Sequence, residues 1–286
     1  MKKILLATSA LVLSAGMASA QGLSIGGDAR MGVQYLSTGW GGGLGTWRME
    51  SRTNLNFSAT VEADHGLTFG MFSRVRRDDA MVGDFNGHNV WVEAMGLRLT
   101  FGNISGPAES FGVTGSVPMG YSGGTFAQFG GLYSGAGTYN IDSFGGGPAQ
   151  TAMLSYTMGD IRVAAARSRG GHTEVAGQAG FDGFTVAGAW ANNAQRFRTL
   201  SASYNAGDFT VGGIYSRING NDLLTLTGSA QLGGGTASAY IGEHQGNTVG
   251  GVSYRYGLGG GATIGGALER TTAGANRAEL GVIFSF

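Results

Sequence analysis

"WRMESRTNLNFSATV", residues 47–61, decides the fold. Trp47, Met49, Leu55, Phe57, Ala59 and Val61 fall on one side of an extended chain. Arg48, Glu50, Arg52, Asn54, Asn56 and Ser58 fall on the other. A period of two belongs to a strand with one apolar and one polar face; a helix would group residues three and four apart. The question is what the apolar face touches.

The same alternation spreads outward from this segment. In 23–35, Leu23, Ile25, Met31, Val33 and Tyr35 oppose Ser24, Asp28, Arg30 and Gln34. In 67–76, Leu67, Phe69, Met71 and Val75 oppose Thr68, Arg74 and Arg76. Weaker versions recur to the end, where "AELGVIFSF" (278–286) places Ala278, Leu280, Val282, Phe284 and Phe286 on one face. Termini usually fray, yet this one alternates to its last residue and is predicted to be paired.

The opening residues set the compartment. Lys2 and Lys3, a mostly apolar stretch from Ile4 to Met17, and Ala18-Ser19-Ala20 have the order of a secretory signal peptide, so residues 1–20 are expected to be removed. No later run of about 18 apolar residues offers a spanning helix. There is no cysteine, hence no disulfide or thiolate chemistry. Both lysines lie in the leader, leaving 16 arginines against 18 acids; that balance argues against a nucleic-acid partner. Glycine is extreme, 56 of 286 residues, against an average near 7%. Regular alternation and abundant aromatics argue against disorder, and glycine permits bends and close approach in curved sheets.

Short turn signals such as Asp64-His65-Gly66, Gly159-Asp160 and Asp182-Gly183 alternate with longer polar connections such as 37–46, 77–88 and 271–276. Short turns on one rim and longer loops on the other suit an outer-membrane barrel. Segment counting gives 16 strands, with 14 as the alternative, and one long connection at about 103–149. A soluble β-sandwich would also alternate. Aromatics near the ends of the apolar segments (Tyr35, Trp47, Tyr156, Tyr204, Tyr215, Tyr256) favour lipid, as in interfacial girdles. In lipid every backbone polar group needs an internal partner, so the strands must close on themselves.

The leader followed by "LSIGGDARMGVQY", with "ESRTNLNFSATVEADHGLTFGMFSRVRRDD", "RLTFGNISGPAESFG" and "GLGGGATIGGAL…AELGVIFSF", closely resembles the general-diffusion porins of alphaproteobacteria. The resemblance is weakest within 113–149 and across 168–245. It implies an all-β fold: a 16-stranded antiparallel transmembrane β-barrel, residues 21–286, with a long constriction loop folded into the lumen. It implies passive diffusion of small hydrophilic solutes and ions, export through the periplasm to the outer membrane, and assembly as a homotrimer. It also implies that the assembly machinery reads the terminal Phe286. Expected partners are the lipid bilayer and its lipopolysaccharide.

If the polar face lines the pore, Arg30, Arg48, Arg52, Arg74, Arg76 and Arg98 line it. Arginine stays charged at any relevant pH, and rings of charge set selectivity. In the family, loop acids oppose such arginines. Here 103–149 offers only Glu109 and Asp142, with glycines and aromatics that include Phe111 and Tyr121. A less charged eyelet with weak anion preference is expected. Asp78, Asp79, Asp84 and Asn86 are read as one external loop. Their oxygens are a candidate for calcium, which the resemblance allows; a solvated acidic loop is the alternative. No cofactor is required by this reading. The four histidines, at turns or loops, lack metal-ligand spacing. No nucleophile–base set or carboxylate pair stands out, so an enzyme is not expected. A sugar- or anion-specific channel, and a plugged, non-conducting barrel or adhesin, are the competing readings.

Overall fold

A computed structural model describes residues 22–40, 45–79, 81–111, 113, 117–123, 151–192, 196–244, 246–271 and 273–286. Residues 1–21, Asp142 and the loop aromatics from Phe126 onward lie outside them.

Sixteen strands run in chain order: β1 (Leu23–Leu36), β2 (Trp47–Glu62), β3 (Thr68–Asp78), β4 (Met81–Ala94), β5 (Leu97–Gly102), β6 (Thr151–Met158), β7 (Ile161–Ser168) and β8 (Thr173–Phe181). They continue as β9 (Phe184–Asn192), β10 (Arg196–Asn205), β11 (Phe209–Ile218), β12 (Asn221–Leu232), β13 (Gly235–His244), β14 (Asn247–Gly259), β15 (Ala262–Arg270) and β16 (Asn276–Ser285). Each pairs antiparallel with its sequence neighbour, and β16 pairs with β1, closing the barrel. The seam reaches the final residue. Gly27 N–H donates to Phe286 O at 2.8 Å, and Phe286 N–H donates back to Gly27 O at 3.0 Å. The terminus is held because the N–H and the carbonyl of Phe286 both pair with Gly27.

The apolar positions face outward. Trp47, Met49, Leu55 and Val61 of β2 are exposed, as are Ile25, Met31 and Val33 of β1. Such a surface is stable only against lipid or protein. Aromatics bracket it. Tyr35 and Trp47 pack at a tilt with centroids 4.9 Å apart at the loop rim. Phe184 packs against Phe181 at 5.6 Å and Tyr204 at 4.5 Å at the rim that holds the termini. No helix among the described residues is long and apolar enough to cross a membrane; the strands cross.

One expected loop is mostly strand. The span 77–88 reads as a polar connection, but β3 runs to Asp78 and β4 begins at Met81. Asp84 and Asn86 take register positions opposite Arg76 and Arg74. A bulge lies between the Ser73↔His88 and Arg74↔Asn86 pairs, with Gly87 at φ 66°. The extra residue breaks the period of two, so the segment loses its strand signature while remaining in the sheet. His88 is likewise in β4 and His244 closes β13, rather than in loops.

Candidate pore constriction

The inner wall divides into two arcs. On β1–β5, parity puts Arg30, Arg48, Arg52, Arg74, Arg76 and Arg98 on the face opposite the exposed apolar residues, toward the lumen. Arg30 pairs with Glu50 at 2.6 Å, Arg52 with Asp78 at 3.3 Å and Arg98 with Glu93 at 2.5 Å. Arg98 also lies over the Trp91 ring, 4.1 Å from its centroid. Arg48 donates to the neutral Gln34 amide oxygen at 2.9 Å and lies 3.6 Å over Trp40. Arg76 donates to Asn54 Oδ1 at 2.8 Å, and Asn54 in turn donates to Asp28. Amide oxygens orient these two guanidinium groups.

The arc from β7 round to β16 carries the loop instead. The loop leaves β5 and forms one helical turn, α1 (Pro107–Ser110), against β7, β8 and β9. Proline is favoured at the first helical position. Glu174 of β8, 1% exposed, accepts the Ala108 N–H at 2.6 Å, satisfying a donor the helix cannot. Gly106 leaves room for that carboxylate: a Cβ would stand 2.6 Å from Glu174 Oε2 and displace it. Phe111 and Val113 then bury themselves among Ala164, Ala176, Ala187, Ala191, Phe197, Ile218 and Leu223. Val117 and Met119 pack on Tyr240, Val249 and Ala267.

The described part of the loop ends at the seam. Tyr121 is fully buried on Gly32 and Gly281, where an added Cβ would meet its ring at 2.5 Å and 2.7 Å. Burial first, then the Glu50 and Glu279 carboxylates, hold its phenol above the ordinary range. Ser122 N–H and Oγ donate to Glu279 at 3.1 Å and 2.6 Å. Arg277 binds Glu279, Glu269 at 3.2 Å and Ser122 Oγ at 2.9 Å. Arg255 donates to Gly120 O at 2.6 Å, and Arg30 to Ser122 O at 2.5 Å. The Glu279 and Arg277 side chains are almost wholly buried, and buried charges persist only when paired and hydrogen-bonded.

Glu109 therefore sits on α1, half-buried, on the arc across from most of the arginines. Phe111 and Tyr121 pack the loop onto the wall rather than face the lumen. Asp78 is held by Arg52, and Asp79 accepts the Ser51 N–H and hydroxyl. Among the described residues no three acidic or histidine side chains gather as a metal site. His244 is buried against Thr225 at 2.8 Å. The wall groups that anchor the loop (Gln34, Glu50, Glu174, Arg255, Glu269, Arg277, Glu279) escape a reading that seeks acids on the loop itself. Their signal was a polar or charged side chain at an inward strand position.

A family model described as Gram-negative porin matches residues 7–281. A porin of Fuscovulum blasticum is 26% identical over 298 residues, covering 92% of this chain and all of that one. A porin of Rhodobacter capsulatus is 27% identical over 219 residues, 73% of this chain and 61% of that one. Among solved structures, mutants of Rh. blastica porin superpose with TM-scores of 0.81 and 0.82 at 24% and 23% identity, covering 93% of this chain and all of theirs.

Proposed function

This chain belongs to the Gram-negative porin family, and from that premise we propose how its pore selects. The barrel is an outer-membrane channel for passive diffusion, and family membership makes it a channel rather than an enzyme. The selectivity reading is weak anion preference at an eyelet between the arginine arc of β1–β5 and the inward loop. One observation carries it: six arginines line the inner wall of β1–β5, and two of them, Arg48 and Arg76, are oriented by neutral amide oxygens. Glu109 and Asp142 are the acids available to the loop. A field set by fixed guanidinium groups raises local anion concentration. Reversal potentials in a salt gradient test this, and a clear cation preference overturns it.

The sugar-specific alternative draws no support from Phe111 and Tyr121, which are buried against the wall; the other loop aromatics lie outside the described residues. The homotrimer, removal of residues 1–20, capture of Phe286 by the assembly machinery, and contact with lipopolysaccharide are further parts of the proposal. Phe286 suits such capture: its backbone seals the seam while its side chain is 61% exposed. Calcium at Asp78 and Asp79 is disfavoured by the partners those carboxylates already hold. Liposome swelling with sugars of graded size separates an open eyelet from a plugged barrel.

A further inference from the structure

Gln34 is 1% exposed and sits mid-way along one inward row that crosses the seam. Its cross-strand partners are Arg48 on β2 and Glu279 on β16. Neighbouring strands lie about 4.8 Å apart, so roughly 10 Å separates the backbones of Arg48 and Glu279, with this one side chain between them. Arg48 Nε donates to Gln34 Oε1 at 2.9 Å, and Gln34 Nε2 donates to Glu279 Oε2 at 3.1 Å.

An amide suits both contacts. A guanidinium has donors and no acceptor, and an ionised carboxylate has acceptors and no donor. Gln34 offers its oxygen to the first and its NH₂ to the second, so the two partners together fix which way the amide points. A hydrocarbon at this position would serve neither. A carboxylate would set a like charge directly opposite Glu279, which is destabilising in a sheet.

Arg48 has a competing acceptor close by. Glu50 lies two residues along β2 on the same inward face. It binds Arg30 through Oε1, and its Oε2 takes no hydrogen bond among the described residues. An arginine–carboxylate pair is strong and can be bidentate. Yet no ion pair links Arg48 to Glu50 among the described residues. Arg48 rests instead on Gln34, with its guanidinium carbon 3.6 Å from the centroid of the Trp40 ring. At the other end of the row Glu279 is itself held by Arg277 and by Ser122 of the loop.

We propose that Gln34 is a positioning residue for ion selectivity. It holds Arg48 away from Glu50, so that this guanidinium acts on passing ions rather than on a wall carboxylate. Because its other end is indexed on Glu279, it also ties the pose of Arg48 to the seat of the loop. The inference rests on the selectivity reading above for the sign of the effect only.

The test is the reversal potential of the full chain in planar bilayers across a potassium chloride gradient, for wild type, Gln34→Met, Arg48→Gln and the double variant. Discrete channel steps verify a folded barrel in each. Arg48→Gln should lower anion-over-cation permeability roughly twofold, the share of one charge across a screened lumen. Gln34→Met removes no charge yet should show most of the same loss. The double variant should fall no lower than Arg48→Gln alone, whereas independent effects would multiply to roughly fourfold. Gln34→Asn draws the amide back from both partners by about one bond, about 1.5 Å, and should reproduce the loss without burying a longer apolar chain. Ser122→Ala loosens Glu279 from the loop without changing charge. It should shift permeability the same way by less, and not at all when Arg48 is absent. A wild-type permeability ratio in both Gln34 variants, multiplied losses in the double variant, or a Ser122→Ala shift that persists without Arg48 overturns the proposal. Cation preference in wild type, with the same non-additivity, would overturn the anion reading and leave the role of Gln34 standing.

Discussion

The two arcs of the barrel use the same residue type on opposite faces. On β1–β5, arginines point into the lumen and the outer face is apolar. On β7–β12, much of the inner face is small and apolar beneath the loop, with Arg162 set over the loop's Phe111, and the arginines at the loop rim point outward. The difference follows from what each inner face must solvate. An open lumen holds water, so charge is inexpensive and useful there. A wall covered by a packed loop is dry, and an unpaired charge under it would be costly. Where charge does lie under the loop, as at Glu174 or at Arg277 with Glu279, it is consumed in anchoring. The eyelet's asymmetry thus comes from the wall, not from acids on the loop.

The largest way to break the contrast is to remove the seam anchor. Glu279→Ala strips the acceptor shared by Ser122, Gln34 and Arg277. Breaking a buried pair costs about 3–5 kcal/mol. The expected outcome is a lower temperature for loss of the folded form, together with larger and noisier single-channel steps as the loop leaves the wall. Steps of normal size and quiet baseline would show that the loop is held elsewhere.

Next comes the outer face. Ala202→Arg places a third outward arginine on β10, two outward positions deeper than Arg198. Arginine near the bilayer midplane costs about 2–4 kcal/mol, falling to about 0–1 at the interface. Ala202→Arg should therefore destabilise the barrel in lipid vesicles, measured by urea titration, while Arg198→Ala barely alters it. Equal effects would mean that the rim arginines are not at the interface.

The inner arc gives a smaller, functional effect. Arg52→Gln/Arg74→Gln/Arg76→Gln removes three lumen charges and frees Asp78 from Arg52. Each charge contributes about 1 kcal/mol at contact distance in water and about half of that or less across a screened lumen. Anion-over-cation permeability should fall roughly tenfold, and the reversal potential should change sign. No change would move the selective element onto the loop.

Much of this architecture was legible in the sequence, for an identifiable reason. A strand between water and lipid must alternate, so 47–61 displays its faces outright, and inward Arg52 and Arg76 follow from parity. Legibility fails where parity is interrupted or where function rests on backbone. Gly87 shifts the register of β4, and Asp84 and Asn86 then read as loop. Loop anchoring uses the N–H of Ala108 and the carbonyls of Gly120 and Ser122, which any residue possesses. Tyr121 reads as a pore aromatic until Gly32 and Gly281 are seen to form its seat. Arg198 and Arg217 become a cluster only when β10 is laid beside β11.

Tyr121 offers the finest test, because it touches the seam without altering wall charge. Its buried phenol keeps its proton at a pH where a released loop's phenol, with an ordinary value of 10.0, gives it up. The seated state then binds more protons than the released one, so stability of the seat must fall as pH rises. The contribution is fully present below about pH 10 and is lost above it, by about 1.4 kcal/mol per pH unit until the seated phenol also ionises. Wild-type channels should become noisier above about pH 10. Tyr121→Phe keeps the ring between Gly32 and Gly281 but has no proton to lose, so its noise should stay flat over the same range. Parallel alkaline noise in both proteins would assign the transition to other groups and leave the seat of the loop independent of this phenol.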